Sequence, residues 1–345
     1  MYLYEVTSGK AIGAIHHTSD ISEIDLSRYS RSKSKLLSFI DVNRDLHIVE
    51  VSEASKHDGG KKKSKKKNKS VVKIEKIATM VDSSEWNDSS DVLVAVSDGT
   101  FKAWYYPQAV LIDKDLFQAA AISRDGTAFG KRPYIESFFG PRVTIRRNDG
   151  ALVTISLDPY PPILYQLVTS SRWNEAVRLC RFVKQDSLWS ALAVMALDWR
   201  NLDTTEIALA ALGHLDKLEF IKHINNVPSK EGQAAELALY RGKVDEAEQI
   251  LLQASPPLIY RAIKMNIRLF RWVRALEIAV KNKKHVDIVL AHRKRFLEQC
   301  DRTETEAKFI RHEGKVKVDW DAIKARQEEE RQKERDRSRR GNKKN

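Results

Sequence analysis

The chain has 345 residues, room for two domains, and its 42% hydrophobic and 8% aromatic content supplies ordinary buried cores, which excludes a globally disordered protein. Its 60 Lys and Arg against 47 Asp and Glu give a formal charge of +13. Residues 56 to 70 carry +7 of that and residues 324 to 345 carry +5, so the remainder is close to neutral and lacks the broad basic face of a nucleic-acid binder. The longest nearly uncharged apolar run, Ser187 to Leu197, is about half the length of a bilayer span. Met1-Tyr2-Leu3-Tyr4-Glu5 lacks the basic start and apolar stretch of a secretory signal, so the chain is expected to stay in the cytosol. Cys180 and Cys300 stand far apart with no CxxC, and are read as buried, reduced thiols.

From the start to about residue 157 the chain reads as short strands of period two broken by turn residues. Leu36 to Ile40, turning at Asn43-Arg44-Asp45 into Leu46 to Val49, predicts one hairpin. Val92 to Val96, Ser97-Asp98-Gly99 and Thr100 to Trp104 predict a second. Arg142 to Arg147, Asn148-Asp149-Gly150 and Ala151 to Ile155 predict a third. Asp-Gly is a strong tight-turn signal, because glycine takes φ > 0 without strain. The hairpins recur at about propeller-blade spacing, and Trp86-Asn87-Asp88 ahead of a strand, with Trp104 closing the next hairpin, fits a WD-repeat blade. About three blades can be counted, and closed propellers need roughly four or more. The expectation is an N-terminally incomplete propeller, with a Lys-rich loop, residues 56 to 70, inserted in one blade.

Pro159, Pro161 and Pro162 mark a change to helical periodicity. A bulky or branched residue, Ala three positions on, and an apolar or small residue three further recurs at Trp173, Ala176, Leu179; at Thr205, Ala208, Ala211; at Val244, Ala247, Ile250; and at Trp272, Ala275, Ile278. Intervals of 32, 39 and 28 residues bracket the tetratricopeptide period of about 34, in which a small residue lets two helices approach. The fold class is therefore β plus α, multidomain: a partial WD-repeat β-propeller over 1–157, then a tetratricopeptide-like α-solenoid over 158–318. Residues 319–345 read as a charged, helical or disordered basic tail: a polar helix running into a basic end. Only Trp320 and Ile323 are large and apolar there, so packing is expected to hold no more than its first turn.

A search for chemistry finds no starting residue for an enzyme. Gly126-Thr127-Ala128-Phe129-Gly130-Lys131-Arg132 is one residue short of a phosphate loop and has Arg where a magnesium-binding Ser or Thr belongs, so it is read as a loop. His16-His17 are too close in sequence for both to reach one metal easily, and no HExxH, GxSxG or GxGxxG occurs. No catalytic, cofactor or metal residue is assigned. Trp173, Trp189, Trp199 and Trp272 are read as hairpin core. The run Lys61, Lys62, Lys63, Lys65, Lys66 and Lys67 is read as a solvated loop able to make weak contacts with acidic surfaces such as tubulin tails. With no aromatic interleaved to stack bases, nucleic acid is disfavoured.

Several segments resemble the intraflagellar transport protein 80 family: Val96 to Pro107, Val143 to Gly150 with Pro159-Tyr160-Pro161, and most strongly Trp173 to Lys184. Asn226 to Glu231, Glu246 to Ala254 and Lys284 to Ala291 extend the resemblance over nearly the whole chain. It implies the end of a second WD-repeat propeller and the solenoid after it, in which the spacing above supplies the repeat positions Trp173, Ala176, Leu179, Ala208, Ala247, Ile250, Trp272 and Ala275. It also implies a non-enzymatic scaffold of intraflagellar transport complex B that supports cilium assembly. Other subunits of that complex would be its partners, without cofactor or small-molecule substrate, and it would reside at the cilium, basal body and cytoplasm. The alternative is a subunit of a vesicle-coat-like trafficking assembly, since propeller followed by solenoid is an architecture that coats share.

Overall fold

The computed structural model describes residues 1–4, 9, 11–28, 34–52, 74–313 and 320–342. The lysine run and the whole of its inserted loop, residues 56 to 70, lie outside them. The chain divides into two compact units, Met1–Leu218 and Glu219–Asn345. Among the described residues no helix is long and apolar enough to cross a membrane.

The first unit opens with antiparallel sheets whose strands pair in chain order. Strands β1 (Tyr2–Tyr4) and β2 (Ala11–Ala14) form a two-stranded sheet. A four-stranded meander follows, made of β3 (Ile21–Leu26), β4 (Ser34–Asp41), β5 (Leu46–Ser52) and β6 (Ile74–Ala78). A second comprises β7 (Val81–Trp86), β8 (Leu93–Ser97), β9 (Thr100–Trp104) and β10 (Ala121–Asp125), and a three-stranded sheet comprises β11 (Tyr134–Phe139), β12 (Arg142–Arg146) and β13 (Leu152–Ser156). Among the described residues two four-stranded blades are thus present, flanked in sequence by smaller sheets. All three expected hairpins form: Ile40 pairs with Leu46, Ser97 with Thr100, and Arg146 with Leu152. Asp98 and Gly99 both take positive φ, 45° and 67°, the primed turn whose twist matches the flanking strands.

Every residue of β8 is buried, because its apolar run packs on both faces. Val94, Val96, Phe101 and Ala103 join Phe129, Ile135, Val143 and Ile145 in a core shared by the second meander and the three-stranded sheet. Polar stitches run alongside it. Trp86, fully buried, donates its indole N–H to Ser38 Oγ at 2.8 Å, and its backbone N–H goes to Asp25 Oδ2 at 3.2 Å. On the other side, Asn87 Nδ2 donates to the Gly140 carbonyl at 2.9 Å while Gly140 N–H donates to Asp88 Oδ1 at 3.0 Å. The Trp-Asn-Asp triplet therefore ties three successive sheets together. The segment after Gly126 is a single 3-10 turn, Thr127–Phe129, with Phe129 buried. A Cβ on Gly126 would stand 2.7 Å from the Gly99 carbonyl oxygen, so close packing explains that glycine.

Helices begin with α1 (Lys114–Ala119), inserted before β10, and continue through α2 (Tyr160–Thr169), α3 (Trp173–Val183), α4 (Asp186–Asp198), α5 (Leu202–Leu212) and α6 (Leu215–Asn225), which straddles the division between the units. The run Leu188 to Leu197 is buried throughout. Within this first unit polar bonds join the segments that connect the strands to the helices. Lys217 reaches Asp113 at 2.6 Å, Tyr106 lies 3.4 Å from Asp198, and the Tyr165 hydroxyl donates to Asp91 Oδ2 at 3.2 Å. Asp91 is enclosed enough that burial pushes its carboxyl up to about 6, against the opposing bond from Tyr165. The native state then holds a proton that the unfolded chain releases near its ordinary value of 3.8, so this group's stabilising contribution is lost as pH rises through about 4 to 6. Asp91→Asn is expected to raise the melting temperature relative to wild type more at pH 7.5 than at pH 5; an equal or smaller gain at pH 7.5 would contradict the assignment.

The second unit comprises α7 (Lys230–Tyr240), α8 (Val244–Gln253), α9 (Ile259–Arg268), α10 (Trp272–Asn282), α11 (Val286–Gln299), α12 (Ala307–Glu313) and α13 (Trp320–Asn342). The first-turn limit expected for the tail is overturned. Helix α13 buries Ile323 against Tyr260, Ile288 and Ala291, and sets Trp320 edge-on to His292 at 5.4 Å. Three turns later Glu334, also buried, accepts from Arg261 Nε at 2.7 Å and from the Ser229 hydroxyl. Arg326 pairs with Asp287 at 2.7 Å. Charged anchors spaced along one face, which an apolar-stripe criterion does not see, hold it down. Cys180 is buried, and burial pushes its thiol up to about 12; Cys300 is exposed, because it falls at the C-cap of α11.

Candidate interaction surfaces

One three-residue link recurs between antiparallel helices. Its middle residue is left-handed: Ser171 between α2 and α3, Arg200 between α4 and α5, Gly242 between α7 and α8, Phe270 between α9 and α10. Its last residue donates back to the preceding helix, Arg172 to Leu167, Asn201 to Ala196, Lys243 to Ala238 and Arg271 to Asn266. That satisfies carbonyls that a helix end leaves open. The carbonyl of that same residue accepts from the fourth residue of the next helix, which is Ala176, Thr205, Ala247 or Ala275, each with no exposed surface. These four are structurally equivalent.

The equivalence corrects the expected register in one repeat. Thr205 takes the place that alanine holds in the other three, and Ala208, buried too, sits one turn later. Thr205 is accepted there because its hydroxyl donates to the Asn201 carbonyl at 2.8 Å, so a buried polar atom is satisfied. Trp173 and Trp272 open α3 and α10 and are half-buried, as are Leu179 and Ile250 one turn beyond their alanines.

The links also carry aromatic side chains out of the core. Trp189 is buried, but Trp199 at the α4 C-cap is 46% exposed and meets Trp173 edge-on at 6.5 Å. A shallow cleft beside them is lined by Arg172, Arg178, Arg181 and Ile207. In the second unit Phe270 is 62% exposed and packs with Trp272 and Phe296, whose ring centroids are 5.3 Å apart, while Arg293 lies over Trp272 at 5.6 Å. The four tryptophans read as core thus divide: one is core, two are half-buried, and one is exposed. Helical period alone could not separate them, since their exposure follows from the link geometry. Aromatic residues ringed by arginine are the side chains that most often anchor protein contacts.

A third surface lies along α13, where a cleft of about 290 Å³ is lined by Arg261, Lys264, Arg268, Arg331 and Arg335 on one side of the charge balance and by Glu236 and Glu334 on the other. Burial, together with the neighbouring Arg331, Arg268 and Arg261, lowers the Lys264 amine. The excess of cations suits a carboxylate-bearing segment.

Comparison with known proteins covers both kinds of architecture. The family model described as the IFT80 second beta-propeller matches residues 1–160, and the one described as the IFT80/172/WDR35/WDR19 TPR domain matches residues 188–336. The Rattus norvegicus intraflagellar transport protein 80 homolog is 43% identical over 341 residues, covering 98% of this chain and 42% of its own length. The Mus musculus counterpart is 42% identical over the same shares. The Mus musculus intraflagellar transport protein 172 homolog is 22% identical over 303 residues, 80% of this chain and 15% of that protein. The chain spans less than half the length of these curated relatives. With blades and helical hairpins each matched in turn, it belongs to the intraflagellar transport protein 80 family, over the second propeller and the helical repeats that follow it.

Proposed function

We propose that this chain is a non-catalytic scaffold subunit of intraflagellar transport complex B, binding other subunits of that complex and supporting cilium assembly. The observation that carries this reading is the likeness to intraflagellar transport protein 80 homologs, 43% identical across 98% of the chain, which takes in both sheets and helices. The exposed aromatics at the helix links supply its chemistry. Trp199, set against the Trp173 of an arginine-lined cleft, and Phe270, beside Arg271, Arg274 and Arg293, offer large apolar contacts, an arrangement that resists salt better than exposed charge pairs.

The test is a tagged full chain in ciliated cells, followed by affinity purification at low and moderate salt. The expected outcome is signal at the basal body and along the cilium, with complex B subunits retained at moderate salt. Signal at Golgi or endosomal membranes with recovery of coat proteins would overturn the reading in favour of a vesicle-coat assembly.

A further inference from the structure

Three side chains distant in sequence converge where the segment before β3 crosses the turn between β4 and β5. His17 Nε2 lies 3.2 Å from Asp41 Oδ2, and His47 Nε2 lies 3.8 Å from the same oxygen. One donor atom from each of the three falls within 4.8 Å of the others. Tetrahedral ligands about 2.0–2.2 Å from a zinc ion stand about 3.3 Å apart, so the cluster needs little movement to close on one. Asp41 is 2% exposed and His47 7%.

The decisive feature is His47. Neither of its ring nitrogens has a hydrogen-bond partner, although both are buried. A buried polar group left unpaired is costly, and a cation coordinated at Nε2 would satisfy the nitrogen that lies nearest Asp41. The imidazole is held ready: its ring stacks on Phe39 at 5.0 Å, and the His17 ring meets Phe39 edge-on at 5.1 Å. Burial, with His17 beside it, lowers the His47 imidazole. Asn43 Nδ2 also donates to Asp41 Oδ2, at 3.4 Å. Asp45 N–H donates to Oδ1 at 2.9 Å, leaving Oδ2 turned toward the two histidines.

We infer that His17, Asp41 and His47 form a binding site for a single divalent transition-metal ion, zinc by the softness of its ligands. Two imidazoles and one carboxylate suit zinc and disfavour magnesium or calcium, which prefer oxygen. His17, the most exposed of the three, opens the fourth position to water. A bound ion would clamp the segment around Ile15, itself paired with Met1 through reciprocal backbone bonds of 2.9 and 3.0 Å, onto the β4–β5 hairpin. Histidine spacing along the chain gives no hint of this: His16 and His17 are not the pair, and the second imidazole arrives from a neighbouring strand.

The experiment uses the full chain carrying Cys300→Ser, which removes an exposed competing thiol. Equilibrium dialysis against zinc is expected to give one tight equivalent per chain, and zinc but not magnesium a saturable rise in melting temperature. His47→Gln and His17→Gln should each weaken that binding about tenfold or more, whereas His16→Gln, at an exposed neighbour, should not. Cobalt should give a visible absorption band in wild type that both variants lose. His17 lies outside the strands, so His17→Gln decides the matter should His47→Gln fail to fold. Absence of a tight equivalent in the folded chain, or binding that survives both variants, would show a hydrogen-bonded cluster only and overturn the assignment.

Discussion

Trp86→Ala is expected to cost the first unit about 3–5 kcal/mol, the range for deleting a large buried aromatic. The side chain has no exposed surface, and its removal also takes away the donor that the Ser38 hydroxyl accepts at 2.8 Å, leaving that hydroxyl only its bond to the Asp25 carbonyl at 3.3 Å. The loss should be felt beyond its own sheet, because Trp86 ends β7 while Ser38 and Asp25 belong to the preceding meander. Urea unfolding followed by tryptophan fluorescence and by amide exchange in β4 and β8 would measure it. Trp86→Phe, which keeps most of the apolar volume but not the donor, is expected to lose less, with about 1 kcal/mol of that from the hydrogen bond. Protection in β4 unchanged by Trp86→Ala would mean that the sheets are not coupled through this residue.

Ile323→Asp should release α13 from the second unit. Ile323 is 1% exposed against Tyr260, Ile288 and Ala291, and replacing it with a carboxylate removes apolar burial and adds an unpaired charge, together roughly 3–5 kcal/mol. Once detached, the helix has too few apolar residues to re-form by packing, and its isolated propensity is marginal. Trypsin cleavage and amide exchange over residues 320–342 should then rise steeply, while Ile310→Asp, at a residue 53% exposed on α12, should leave both unchanged. If the Ile323 variant stays as protected as wild type, the ion pairs of Arg261 with Glu334 and Arg326 with Asp287 are holding α13 without that apolar anchor.

The sequence by itself determined the change from period two to helical period near Pro159, the three hairpins with their turn residues, and the alanines of the helix pairs. All of these are local: an Asp-Gly turn or an alanine every few residues acts through its immediate neighbours. Thr205 marks the limit of that reading. Its role depends on the left-handed Arg200 and the Asn201 carbonyl before it, which residue spacing does not disclose, and the window built on Ala208 slipped by one turn. The docking of α13 escaped for a related reason. Glu334 and Arg261 stand 73 positions apart, and a charged helix looks the same in sequence whether its partners are water or a buried guanidinium. Exposure at Cys300 and Trp199 follows from where helices end, and the meeting of His17, Asp41 and His47 follows from strand pairing that sets His47 across from Phe39. Periodicity reports which face of an element is apolar; only tertiary structure decides what that face meets and which polar groups are carried in with it.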